Sequence, residues 1–157
     1  MISVERTYDV ALLDSIIRNP SIYAGMCDDK CPKSAALVSV GAMVDAFVFI
    51  LVRNDNDPCG CFIYEPHGRT FAVHTALLPT CRGRNAINAA ILSLDWVFNR
   101  TECEKVTSYA FSDSPQVAWF ARVVGLEDVG QEDYPNTRDG KPVTITKFEI
   151  TKDKFRK

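Results

Sequence analysis

The sequence predicts a single α/β (α+β) domain: a mixed, mostly antiparallel central sheet of six to seven strands flanked by helices. Three observations lead there. First, the apolar run Ala46–Arg53, the segment Cys59–Glu65 and the segment Thr70–Leu78 are strand-like and separated only by short turn-forming stretches, which makes them antiparallel neighbours. Second, Thr70–Phe98 reads as strand, basic turn and helix in one continuous unit. Third, the remainder continues as a strand at Lys105–Phe111, a helix around Val117–Val124 and a terminal hairpin.

The second unit organises the rest. Thr70–Leu78 is rich in Phe, Val, Thr and Leu, and Pro79 ends it. Ile87, Ala90, Ile91, Leu94 and Phe98 then recur at helical spacing and form one apolar face. Between them lies the turn Arg82-Gly83-Arg84-Asn85-Ala86. A helix launched from such a turn presents unpaired N–H groups and the positive end of its dipole, which suits a phosphate or pyrophosphate.

Taken in order, Ile2–Arg6 is a short strand candidate, and Asp9 caps a helix whose stripe is Val10, Leu13, Ile16 and Ile17. Asn19-Pro20 is read as its stop. Ser21–Lys33 reads as a loop or broken helix, with Asp28 and Asp29 as solvated connector residues. Arg53–Pro58 and Pro66-His67-Gly68 are turns. Ser112-Asp113-Ser114-Pro115 leads into the helix bearing Val117, Phe120, Ala121 and Val124, and Gly125 ends it. Leu126–Glu132 and Val143–Thr151 form the final hairpin, joined by a polar loop at Asp133–Pro142.

A chain of 157 residues, 46% apolar and without low-complexity tracts or repeats, fits one domain at 1–151, with 152–157 expected to be a frayed tail. The net charge of −2 gives no support to nucleic-acid binding. Ala46–Val52 is too short to cross a bilayer, and Glu5, Arg6 and Asp9 interrupt the N-terminus where a signal peptide needs an apolar core. A cytoplasmic protein without a membrane partner is expected. Six cysteines in such a chain are read as reduced thiols. Cys27, Cys31, Cys59 and Cys61 are the only set that suggests zinc, but Cys-x-Cys spacing fits structural zinc poorly, and no metal site is assigned. Cys59 and Cys61 read more simply as small apolar residues on one strand face.

The Leu78-Pro79 and Arg82-Gly83 wording ahead of a helix resembles the acetyl-CoA-binding segment of the GNAT superfamily of N-acetyltransferases. A second stretch, Ser114–Leu126, is similar to that family's last helix, and the element order agrees along nearly the whole chain. Val73-His74-Thr75 and Asp95–Phe98 further resemble acetyltransferase-like proteins of tailed bacteriophages. The resemblance implies a sheet splayed between strands four and five, and acetyl-CoA as co-substrate. It also implies direct attack of a primary amine, on a small molecule or a protein, upon the thioester.

In that frame, backbone near Leu77 and Leu78 holds the pantetheine. Arg82, Gly83, Arg84, Asn85 and Ala86 hold the phosphates, and Ser112 is a further cofactor-binding candidate. Read without the resemblance, Arg82 and Arg84 are exposed basic residues on a loop. His74, the only histidine inside a strand of the site, has the right ordinary pKa for a general base, and equally suits a structural role. Glu65 and Glu132 are further base candidates. The family's usual proton-donating Tyr corresponds to Ala121, which leaves Tyr109, Ser112 and Ser114 as hydroxyl candidates.

That replacement, together with Asn85 and Ile87 at the family's small-residue positions, defines an alternative: a protein that keeps the fold and serves as a binding or assembly component, with a bacteriophage component as one form of it. The acceptor is not identified by the mixed charge of Ser21–Lys33 and Asp133–Pro142. Pairing of the final strands between two subunits in a homodimer is an open expectation.

Overall fold

In the computed structural model, which describes residues 1–157, seven strands form one sheet. They are β1 (Ile2–Arg6), β2 (Val48–Asn54), β3 (Asp57–His67), β4 (Thr70–Leu77), β5 (Lys105–Phe111), β6 (Glu127–Arg138) and β7 (Lys141–Thr151). Five helices accompany them: α1 (Val10–Ile17), α2 (Pro20–Met26), α3 (Arg84–Arg100), α4 (Pro115–Val124) and α5 (Lys152–Phe155). The spatial order is β1-β2-β3-β4-β5-β7-β6. Every neighbouring pair is antiparallel except β4 and β5, which the crossover through α3 makes parallel. No helix is long and apolar enough to cross a membrane.

The parallel pair is short. Thr70, Phe71 and Ala72 pair with Lys105, Val106 and Thr107, and beyond them the two strands separate. This is the splay expected between strands four and five, and it opens the middle of the sheet.

Each sheet face carries its own core. Tyr64, Phe98, Val106 and Phe148 centre the α3 side, where the Tyr64 hydroxyl is hydrogen-bonded to Ser93 Oγ at 2.7 Å. Leu13, Phe49, Leu51 and Ile63 centre the α1 side. Asp9 caps α1 by accepting from Leu12 N–H at 3.1 Å. Within α1, Asp14 accepts from Ser39 Oγ and Val40 N–H, both at 2.8 Å, and so ties the following loop down.

The alternation of β3 breaks at Gly60. The register moves from Val52↔Gly60 to Arg53↔Pro58, so a bulge puts Cys59 in the α3-side core and Cys61 in the α1-side core. The two cysteines therefore do not share a strand face. The four-cysteine set weighed from the sequence is not assembled, because this pair points to opposite sides of the sheet.

Four other expectations change. Asn19-Pro20 ends α1 but also opens α2, with Asn19 accepting from Ser21 N–H at 3.0 Å and Pro20 at the first helical position, where its missing N–H costs nothing. β2 begins at Val48 instead of Ala46. The stretch Asp133–Pro142 is largely strand, because the only turn it needs is Asp139-Gly140, both at positive φ (52° and 72°). The tail is not frayed: Thr151 caps α5 by accepting from Lys154 N–H at 3.3 Å, and the Phe155 ring packs on Phe98 at 5.4 Å.

Candidate active site

The separation of β4 and β5 leaves a cavity of about 500 Å³ that passes between the strands, with α3 and α4 on one side and α2 on the other. Strand parity decides what β4 offers to it. The Arg69 carbonyl accepts from Lys105 N–H (3.2 Å), towards β5, whereas Leu78 N–H donates to the Cys59 carbonyl (2.9 Å), towards β3. Alternation therefore directs the backbone groups of Val73, Thr75 and Leu77 at the open edge. These three have no strand partner on that side, since pairing with β5 ends at Ala72. Leu77 stands where it was expected. Leu78 does not: its N–H is committed to β3 and its side chain packs in the α1-side core.

At the other end of the turn, Gly83 holds φ 61° as the N-cap of α3. The first hydrogen bond of α3 runs from Ile87 N–H to the Gly83 carbonyl, so the N–H groups of Arg84, Asn85 and Ala86 precede the ladder and remain free. Arg82, Gly83 and Ala86 line the cavity. Arg84 and Asn85 do not line it. Ile87 is also absent from the wall. Ala86 and Ala90, one helical turn apart, face the cavity and keep α3 clear of the strands.

The opposite half holds the acid–base candidates. His74 and Tyr109 both line the cavity, with ring centroids 6.2 Å apart in an edge-on arrangement. Burial pushes the His74 pKa below its ordinary value, and Glu65, 4.0 Å away, only partly opposes this. His74 is thus neutral at physiological pH and free to accept a proton. Glu65 also lies 3.5 Å from His67 Nε2 and sits behind His74. Burial, more than any neighbour, raises the Tyr109 pKa, so this phenol keeps its proton.

Ser114 lines the cavity at the start of α4 and donates to Asp113 at 3.2 Å instead of capping its helix. Gln116, next along α4, also lines it. Ser112 lies outside, its hydroxyl accepting from Thr144 N–H at 3.2 Å in the continuation of the β5–β7 ladder. Ala121 is a buried, apolar part of the wall. Glu132 is paired with Lys147 at 3.8 Å on the exposed β6 strand, away from the cavity.

The loop after α2 is not a solvated connector. Asp28 accepts from the Tyr134 hydroxyl (2.7 Å) and Asn136 (3.0 Å), while Asp29 accepts from the Thr137 hydroxyl (2.6 Å) and from Asp139 and Gly140 N–H (both 2.9 Å). The Tyr134 bond leads the causes that hold Asp28 below its ordinary pKa, and the Thr137 bond leads those acting on Asp29. Arg138 completes the clamp. It donates to the Ala24 and Cys27 carbonyls (3.1 and 3.2 Å), pairs with Asp113, and lies 4.1 Å over the Phe111 ring. These contacts fix α2, which supplies Ser21, Ile22, Gly25 and Met26 to the cavity wall. Arg138→Ala is expected to lower stability by about 2 kcal/mol, by removal of a mostly buried charged donor. It also loosens α2 and leaves the α3 turn untouched. Urea unfolding checks the first effect, and comparison of acceptor and cofactor affinities checks the second.

The residues around the splay fit acetyl-CoA. An open strand edge, free N–H groups at a helix start, Arg82 and two alanines meet in one cavity.

Comparison with solved structures supports the fold. The chain is similar to a spermidine N-acetyltransferase from Vibrio cholerae, solved in complex with CoA and spermine (TM-score 0.80, 12% identity, covering 99% of this chain and 98% of that one). It is also similar to a ribosomal-protein-S5-alanine acetyltransferase from Vibrio fischeri (TM-score 0.76, 11% identity, 98% and 94% covered). At such identities the likeness shows the GNAT fold. No curated protein sequence gives a significant match. A family model described as protein of unknown function (DUF2824) matches residues 44–157, from just ahead of β2 to the end of α5, and the chain belongs to that family.

Proposed function

We propose that this protein is an acetyl-CoA-dependent N-acetyltransferase acting on a primary amine by direct attack. The observation that carries the reading is the joining, in one cavity, of an unpaired β4 edge, a free α3 N-terminus and a neutral, half-buried His74 that the same strand carries. The co-substrate supplies an activated acetyl group as a thioester. The chain's own part is positional and acid–base. Backbone groups of Val73, Thr75 and Leu77 orient the pantetheine arm, and Arg82 with the N–H groups of Arg84, Asn85 and Ala86 takes the phosphates. His74 accepts the ammonium proton of the acceptor. The amine nitrogen then forms its bond to the acetyl carbon as the carbon–sulfur bond breaks, and the proton it sheds on becoming an amide passes to the departing sulfur through Tyr109 or Ser114, the hydroxyl candidates of the wall.

CoA added at about 100 times its dissociation constant is expected to stabilise the fold by about 2.7 kcal/mol. For a domain of this size that raises the melting temperature by roughly 5–10 °C. An unchanged melting temperature at millimolar CoA contradicts the reading.

A second reading, a GNAT-fold binding or assembly component without catalysis, is favoured by one observation. Ala121 puts an apolar methyl where the resemblance calls for a phenol. The two readings separate on thiol release: an enzyme liberates CoA from acetyl-CoA in the presence of an amine, and a binding protein does not.

A further inference from the structure

Resting on the acetyl-transfer reading, we infer that the acceptor is a primary amine carried on an apolar, preferably aromatic, group with no second positive charge. The acceptor half of the cavity is walled by Ile22 and Met26 of α2 and by His74, Tyr109 and Phe111 of the splayed strands. Tyr109 and Phe111 stand edge to face at 5.4 Å and present an aromatic surface to whatever enters. No Asp or Glu lines the cavity anywhere, and its one charged side chain, Arg82, is positive.

Four carboxylates outside the lining are tied to neighbouring groups. Asp28 is held by Tyr134 and Asn136, Asp29 by Thr137 and the Asp139-Gly140 turn, and Asp113 by Arg138. Glu65 lies outside the lining, beside His67 and His74. A second ammonium entering this space loses its water and finds no carboxylate in the wall with which to pair. The reacting nitrogen escapes that penalty because His74 takes its proton. An apolar carrier fills the Ile22, Met26 and Phe111 surface at no such loss. Polyamine acetylation, the activity of the similar Vibrio cholerae spermidine N-acetyltransferase, is therefore not expected to pass to this chain with the fold.

The test uses the full chain, acetyl-CoA, and four amines at equal concentration: phenethylamine, hexylamine, spermidine and an alanine-initiated hexapeptide. CoA binding is measured first by calorimetry. With CoA bound, kcat/KM for phenethylamine or hexylamine is expected to exceed that for spermidine by about 100-fold or more, the scale of leaving a charge unpaired in a desolvated site. Met26→Glu, which sets a carboxylate on the acceptor wall, is expected to narrow that ratio at least about tenfold while CoA affinity stays unchanged. Equal or faster turnover of spermidine by the wild type overturns the inference and leaves the transferase reading intact. Preference for the peptide, or CoA binding with no amine acetylated, also overturns it. Absence of CoA binding removes the transferase reading and this inference together.

Discussion

His74→Gln is expected to lower kcat by about 10²- to 10⁴-fold, the usual contribution of a positioned general base, with CoA affinity unchanged. Glutamine keeps hydrogen-bonding capacity and approximate size, so the edge-on packing against Tyr109 at 6.2 Å is disturbed little. The pH dependence follows from the direction of the shift. Burial holds the His74 pKa below the ordinary histidine value of about 6.5, so the acid limb of the wild-type kcat/KM profile lies below that pH, and the variant loses the limb. The same shift acts on folding. The unfolded chain binds the proton more readily than the folded one, so stability is fully present above about pH 6.5 and falls as the pH drops towards the folded-state pKa. Turnover within threefold of wild type in the variant, with an unchanged acid limb, contradicts this role for His74.

Gly60→Ala is expected to destabilise the fold by about 3 kcal/mol or more, lowering the melting temperature by roughly 6–12 °C. Two independent features meet at this residue. Its φ is 155°, a conformation that side-chain-bearing residues rarely adopt. An added Cβ would also lie 2.6 Å from the Ala76 carbonyl oxygen and 2.8 Å from Leu77 Cα, both backbone atoms of β4 that cannot rotate away. Relief requires β3 and β4 to part at the end of β4 that forms the open edge, so CoA affinity should fall together with stability. Thermal and urea unfolding read the first effect and calorimetry the second. A melting temperature within about 2 °C of wild type shows that the bulge relaxes freely and contradicts the account of Gly60.

The strand–turn–helix unit was legible because its cues are local. Thr70–Leu77 carries strand-forming residues without interruption, and α3 repeats its apolar positions at helical spacing. The splay and the cavity followed from family resemblance, and the structure bears the fold out. What escaped the sequence was set by distant partners. β6 is exposed along almost its entire length and contains Pro135, so it shows no apolar alternation, and it is a strand because β7 lies beside it. The Asp139-Gly140 pair was the available signal for its turn.

Asp28 and Asp29 looked like solvated loop residues because their hydrogen-bond partners are more than a hundred positions away. Nothing local announces such a clamp. Cys59 and Cys61 were assigned to one face by simple alternation, and the isolated Gly60 between them was the signal of a bulge. At the site, His74, Tyr109, Ser114, Leu77, Arg82, Gly83 and Ala86 converge on the cavity, whereas Leu78 and Ser112 point their groups into ladders. Val73, Thr75 and Gln116 also line the cavity and were not singled out in the sequence. Strand parity, read from where β4 leaves β5, identifies the first two.

The most direct test of the central claim is calorimetric titration of acetyl-CoA and CoA into the wild type and into an Arg82→Ala, Arg84→Ala double variant. Binding of both ligands by the wild type, weakened at least about tenfold in the variant, is the predicted result and places the phosphates on the turn that opens α3. Heat of binding that the double variant retains in full puts the phosphates elsewhere. No binding by either protein contradicts the claim that the gap between β4 and β5 is an acyl-CoA site.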